Sequence, residues 1–133
     1  MKETDKCCPT TQYGMSKLNA EKMCIKSDLD TCIARCFAFS GRFLSKTSQF
    51  AIGNFVKDAI DNKPIHINSN GKSTRSYLDQ DDLCKWLMSI LLFSAPNEIY
   101  NVGSNRVISI FELAQLIKKL LNPNVEILLN KSI

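Results

Sequence analysis

Residues 12–27 read Gln12-Tyr13-Gly14-Met15-Ser16-Lys17-Leu18-Asn19-Ala20-Glu21-Lys22-Met23-Cys24-Ile25-Lys26-Ser27, and after a short turn come Cys32-Ile33-Ala34-Arg35-Cys36-Phe37-Ala38-Phe39. The first part predicts a helix from Gln12 to about Asp28, with Leu18, Ala20, Met23 and Ile25 among its apolar positions. The second is apolar except for Arg35. So continuous a run predicts a strand buried on both faces of a parallel sheet. A charge inside it needs partners, so Arg35 is expected to be satisfied by backbone carbonyls or an acid.

Downstream, the pattern keeps alternating. Gly41 to Ser48 reads as a polar loop. Ile52, Phe55, Val56, Ala59 and Ile60 recur at helical spacing and predict an amphipathic helix. Asn62-Lys63-Pro64 ends it, Ile65-His66-Ile67 reads as a short strand, and Asn68 to Gly71 as a turn. Arg75 to Leu78 is a second extended piece. Asp79 is placed to cap a helix whose stripe is Leu83, Trp86, Leu87, Ile90 and Leu91. Glu98 to Val102 reads as a strand, and Ser109-Ile110-Phe111-Glu112 is a capping box with Ile110, Leu113, Ala114 and Ile117 behind it. Val125 to Leu129 is a last strand. Strands alternating with helices predict an α/β fold.

The helix at the start carries a chemical signal. Tyr13 and Lys17, four apart, share one face. An ammonium beside a phenol favours the phenolate. A tyrosine so placed can take a proton from an alcohol or return one to a carbonyl. The lysine keeps donors for a ribose's hydroxyls. Arg75, after a glycine-bearing turn and before a helix start, suits bidentate contact with a diphosphate. Gly71-Lys72-Ser73 is not a phosphate loop: His66 stands where that motif needs glycine, and the residues after Ser73 read as extended.

The 133 residues are 44% hydrophobic and 23% charged, with formal charge +4. That is ordinary composition for one small domain. Acids and bases are interspersed, without the basic stripe that nucleic acid would require. The longest apolar run, Trp86 to Phe93, is too short to cross a bilayer, and Met1 to Lys6 lacks a signal peptide's apolar segment; a cytoplasmic protein without a membrane partner is expected. Six cysteines (Cys7, Cys8, Cys24, Cys32, Cys36, Cys84) include no Cys-x-x-Cys, and His66 is the only histidine. No metal site is expected. Reduced thiols are expected, with those in the helix and strand patterns acting as small buried hydrophobes.

Five blocks occur in one order: Tyr13-Gly14-Met15-Ser16-Lys17; Ala34 to Gly41; Phe50-Ala51-Ile52-Gly53-Asn54-Phe55-Val56; Thr74-Arg75-Ser76-Tyr77 with Asp81-Asp82-Leu83; and Tyr100-Asn101-Val102-Gly103. Together they resemble the extended short-chain dehydrogenase/reductases, in the branch of NAD-dependent sugar-nucleotide epimerases and dehydratases. The middle blocks look most like UDP-glucuronate decarboxylases and dTDP-glucose dehydratases. The resemblance implies that Tyr13 is the acid/base at the sugar hydroxyl and Lys17 the nicotinamide-ribose ligand. It implies that Arg75 contacts the nucleotide diphosphate and that Asn54 lines the same pocket. It implies NAD or NADP as cofactor and a nucleotide-diphosphate sugar as ligand, and it admits a homodimer through the Tyr13 helix.

No glycine-rich strand-to-helix turn is present, and no catalytic Ser or Thr strand precedes Tyr13. The fold class expected is therefore α/β, the C-terminal portion of an extended Rossmann-like fold. It would comprise the last parallel strands and a small substrate-binding subdomain, without the dinucleotide-binding half. Residues 12–40 would be the remnant of the Rossmann part and 41–133 the sugar-nucleotide part of a single domain, 1–133. Such a chain is expected to hold no cofactor and to be inactive by itself. The alternative is a non-catalytic nucleotide-sugar-binding or interaction domain of the same descent.

Overall fold

The computed structural model describes residues 2–44 and 50–130. The loop expected over Gly41 to Ser48 therefore lies partly outside the described residues. The elements run α1 (Gln12–Lys26), β1 (Ile33–Cys36), β2 (Ala38–Ser40), α2 (Ala51–Ile60), β3 (Ile65–Ile67), β4 (Thr74–Asp79), α3 (Gln80–Phe93), β5 (Ile99–Val102), β6 (Val107–Ser109), α4 (Ile110–Leu121) and β7 (Ile127–Leu129). Two units form. One comprises Met1–Phe37 with Asp81–Gly103, the other Ala38–Gln80 with Ser104–Ile133. The expected division at residue 40/41 differs from this, because β5 pairs with β1 and draws residues 81–103 to the first unit.

In the first unit β1 and β5 pair in parallel, Ile33 opposite Ile99 and Cys36 opposite Val102. Val102 and Leu83 are its buried apolar residues. Phe37 donates to the Val102 carbonyl at 2.9 Å, extending the ladder past β1. Gly103 is required there, since a Cβ on it would lie 2.7 Å from the Phe37 ring.

In the second unit β2 pairs in parallel with β4, β4 pairs antiparallel with β6, and β3 pairs in parallel with β7. Its core is Phe55, Ala59, Ile65, Ile67, Leu113, Ala114, Ile117 and Val125. Helices α2 and α4 bring apolar stripes to it, as their spacing predicts. The capping box is present: the Ser109 hydroxyl accepts from Glu112 N at 3.1 Å and the Glu112 carboxylate accepts from Ser109 N at 2.8 Å.

Four expectations need correction. The run from Cys32 to Phe39 is not one strand buried on both faces: it splits into β1 and β2, which belong to separate ladders and are half-buried or exposed. β1 lies in a two-stranded sheet and β2 in a three-stranded one, and in neither are both faces of the strand covered. Cys24, Cys32, Cys36 and Cys84 are exposed rather than buried, and all six cysteines are free thiols. On α3 only Leu83 of the stripe is buried, while Trp86, Leu87 and Leu91 are exposed, and Ile60 on α2 is exposed too. Strand β6 was not expected: three residues between a polar turn and a capping box carry no period of their own, and pairing with β4 makes them a strand.

Candidate functional site

Tyr13 and Lys17 lie in the first turns of α1. Thr11 caps that helix by accepting from Gly14 N at 3.1 Å. A hydroxyl at this position satisfies a donor that the helix cannot. The four-residue spacing then brings Lys17 Nζ to 5.4 Å from the centre of the Tyr13 ring. The ammonium stands over the ring face, within cation–π range. Tyr13 is 73% exposed, so its phenol and the lysine's donors are open to a ligand.

Asn54 and Arg75, 21 residues apart, come together in the second unit. They line one cleft of about 290 Å³ with His66, Asn68, Ser69 and Ser73, floored by Phe55 and Ile67. Its wall begins at the N-terminal turn of α2, which has neither an acidic side chain in its first turn nor a side-chain cap from Phe50. That end of a helix carries partial positive charge. Among the described lining residues none is acidic, so the field in the cleft favours an anion.

The turn before Arg75 is held in shape locally and by α4. Gly71 has a left-handed φ of 73°. Gly71 N donates to Ser69 Oγ at 3.2 Å and Lys72 N to Asn70 Oδ1 at 3.0 Å. Phe111 N and Ile110 N donate to the carbonyls of Gly71 and Ser73 at 3.1 and 2.9 Å. Strand β4 begins directly after Ser73, so no helix follows the Gly-Lys-Ser sequence, as expected. Arg75 leans on its own strand, Nη1 donating to the Thr74 carbonyl at 2.7 Å. Nearby, burial pushes the Tyr77 phenol up and the Arg75 charge moderates the shift.

Sequence reasoning missed His66, Asn68, Ser69 and Ser73 as cleft residues. His66 carried the only available signal, as the one polar residue between two core isoleucines on β3, whose pleat turns it away from them.

A match to the NAD dependent epimerase/dehydratase family covers residues 1–103. The chain belongs to that family. It is 26% identical over 119 residues to UDP-glucuronic acid decarboxylase 4 of Arabidopsis thaliana, covering 86% of this chain and 27% of that protein. Its fold resembles UDP-glucuronic acid 4-epimerase from Bacillus cereus in complex with UDP-glucuronic acid and NAD (TM-score 0.89, 22% identity, 100% of this chain and 44% of that one). It also resembles dTDP-glucose 4,6-dehydratase from Bacillus anthracis in complex with NAD (TM-score 0.87, 22% identity, 98% and 43%). At that identity the likeness concerns the fold: α/β and Rossmann-like. The chain spans about a quarter of the length of the curated relatives it matches. Among the described residues no helix is long and apolar enough to cross a membrane.

Proposed function

We propose that this chain is the C-terminal, sugar-nucleotide-binding part of an enzyme fold that oxidises and re-reduces a hydroxyl of a nucleotide-diphosphate sugar. The observation that carries the reading is the acid-free cleft on which Asn54 and Arg75 converge. Arg75 would leave the Thr74 carbonyl and meet the diphosphate through its planar fork. Asn54 and the first turn of α2 would donate to the same ligand.

Tyr13 would take the proton from the sugar hydroxyl and return it later, and Lys17 would hold the nicotinamide ribose by its hydroxyls. Both side chains are exposed and adjacent, which fits a ribose next to a phenol. NAD or NADP, when bound, supplies the hydride acceptor. The chain holds no glycine-rich turn for the cofactor's pyrophosphate, so its own residues fit only the ribose end of that molecule.

The test is titration of UDP-glucuronic acid and dTDP-glucose into the purified chain. Binding should weaken about tenfold or more in Arg75→Ala, the loss of a charge-assisted hydrogen bond, and persist in Tyr13→Phe. Equal affinity in Arg75→Ala would sink the assignment. Full turnover by the chain alone with added NAD would overturn the expectation that it cannot hold the cofactor.

A second reading, a non-catalytic interaction domain, draws on exposed apolar residues of α1, namely Met15, Met23 and Ile25 beside Tyr13. Exposed apolar side chains favour association, here a homodimer through α1. A monomer in analytical ultracentrifugation at micromolar concentration would count against it.

A further inference from the structure

Helix α1 buries none of its residues, so apolar packing is a weak hold on it. A polar clamp ties it to the strands, and Arg35 on β1 is its centre. Arg35 Nε and Nη2 donate to the two carboxylate oxygens of Glu21 on α1, at 3.0 and 2.5 Å. A bidentate pair fixes angle as well as distance. The side chains are only 18% and 14% exposed, so solvent screens this pair less than one on the surface. Arg35 holds the Glu21 carboxyl below its ordinary range.

The third nitrogen serves the segment ahead of the helix. Arg35 Nη1 donates to the Glu3 backbone carbonyl at 2.9 Å. The Glu3 carboxylate accepts from Asn101 N on β5, also at 2.9 Å. Phe37 bonds the Val102 carbonyl, so Val102 turns its backbone toward β1 and Asn101 turns its N–H outward. Glu3 covers that outward donor. At its other end the segment is pressed on α1 itself: a Cβ on Gly14 would lie 2.8 Å from Pro9 Cβ. Residue 14 must therefore be glycine for Pro9 to reach the helix beside Tyr13.

We infer that Arg35 is a positioning residue, which fixes α1 through Glu21 and the lead-in segment through Glu3, and so sets where Tyr13 and Lys17 stand on the first unit. The consequence for catalysis rests on the proposed roles of Tyr13 and Lys17; the clamp does not.

The experiment is hydrogen–deuterium exchange on the full chain, comparing wild type, Arg35→Lys, Glu21→Gln, and the charge swap Arg35→Glu with Glu21→Arg. Arg35→Lys should speed exchange about tenfold both in residues 2–11 and in α1, because lysine lacks the fork that serves both partners. Glu21→Gln should speed α1 alone. In the swap, α1 should regain protection while the Glu3 segment stays fast, since a carboxylate at position 35 cannot donate to a carbonyl. Protection of the β1–β5 ladder, in the same unit, reports that this unit is folded in each variant; if Arg35→Lys loosens that ladder as well, Glu21→Gln decides. Unchanged α1 exchange in Glu21→Gln, or a swap that restores neither segment, would overturn the inference. UDP-sugar titration of the wild-type chain tests the functional reading separately, so the two can fail independently.

Discussion

Replacing Gly71 with alanine should destabilise the second unit by an amount that the turn geometry allows to be worked out. Gly71 holds φ at 73°. For an L-residue that conformation costs about 1–2 kcal/mol. Stiffening the unfolded chain returns about 0.4–1 kcal/mol. The new Cβ would lie 3.0 Å from Phe111 Cβ and 3.3 Å from Leu129 Cδ2. Phe111 sits in the first turn of α4 and its N–H is bound to the Gly71 carbonyl, so it cannot move away without straining that bond. Overpacking of this kind adds about 1 kcal/mol at least. The sum is a loss of about 2 kcal/mol, which for a chain of this size lowers the melting temperature by roughly 6–12 °C. Circular-dichroism melts and urea titrations of wild type and Gly71→Ala measure it. Gly71→Asn separates the two causes, because asparagine tolerates the left-handed region but still carries a Cβ. An asparagine variant as unstable as alanine would assign the whole loss to the contact with Phe111. A Gly71→Ala melt within about 1 °C of wild type would refute the reasoning, since the summed loss predicts several degrees.

Three further outcomes are expected. Ser109→Ala should remove the cap of α4 and lower stability by about 1 kcal/mol in urea titration; no change would mean that Glu112 suffices alone. Ile65→Ala, at a fully buried position in the core, should cost about 2–5 kcal/mol, and a loss under 1 kcal/mol would show a core able to collapse around the gap. The third concerns acid. Arg35 lowers the Glu21 carboxyl, and Asn101 N–H lowers that of Glu3. A carboxyl depressed in the native state contributes stability that is present above its unfolded value of about 4.3 and lost as pH falls through the lower native value. Cys7 and Glu3 also face Arg35. Glu21→Gln should therefore flatten the acid limb of the stability curve, and an acid limb as steep as wild type would contradict the assignment.

The parts legible in the sequence were those governed by neighbours three or four residues apart. Helix α4 announced itself through Ser109 and Glu112 and through the stripe of Leu113, Ala114 and Ile117. Helix α2 did so through Phe55 and Ala59, and Tyr13 with Lys17 through a single helical turn. These contacts are made within one element, so the order of residues contains them. The alternation of such elements also carried the α/β class, and the five ordered blocks carried the family.

Tertiary structure decided what depends on partners distant in the chain. Cys32 to Phe39 has one composition, yet β5 claims its first half and β4 its second, and hydrophobicity alone does not name a partner. The apolar residues of α3 look like a core stripe in sequence, but only Leu83 is buried. Arg35 was readable as an arginine needing partners; that they are Glu21 and the Glu3 carbonyl follows from α1 and the lead-in segment folding against β1. Asn54 and Arg75 sit on different elements, and the cleft they line includes part of the 68–73 turn that is bonded to the start of α4. Local sequence sets periods and caps through short-range sterics and hydrogen bonds, whereas burial and convergence are properties of pairs that the chain must first bring together.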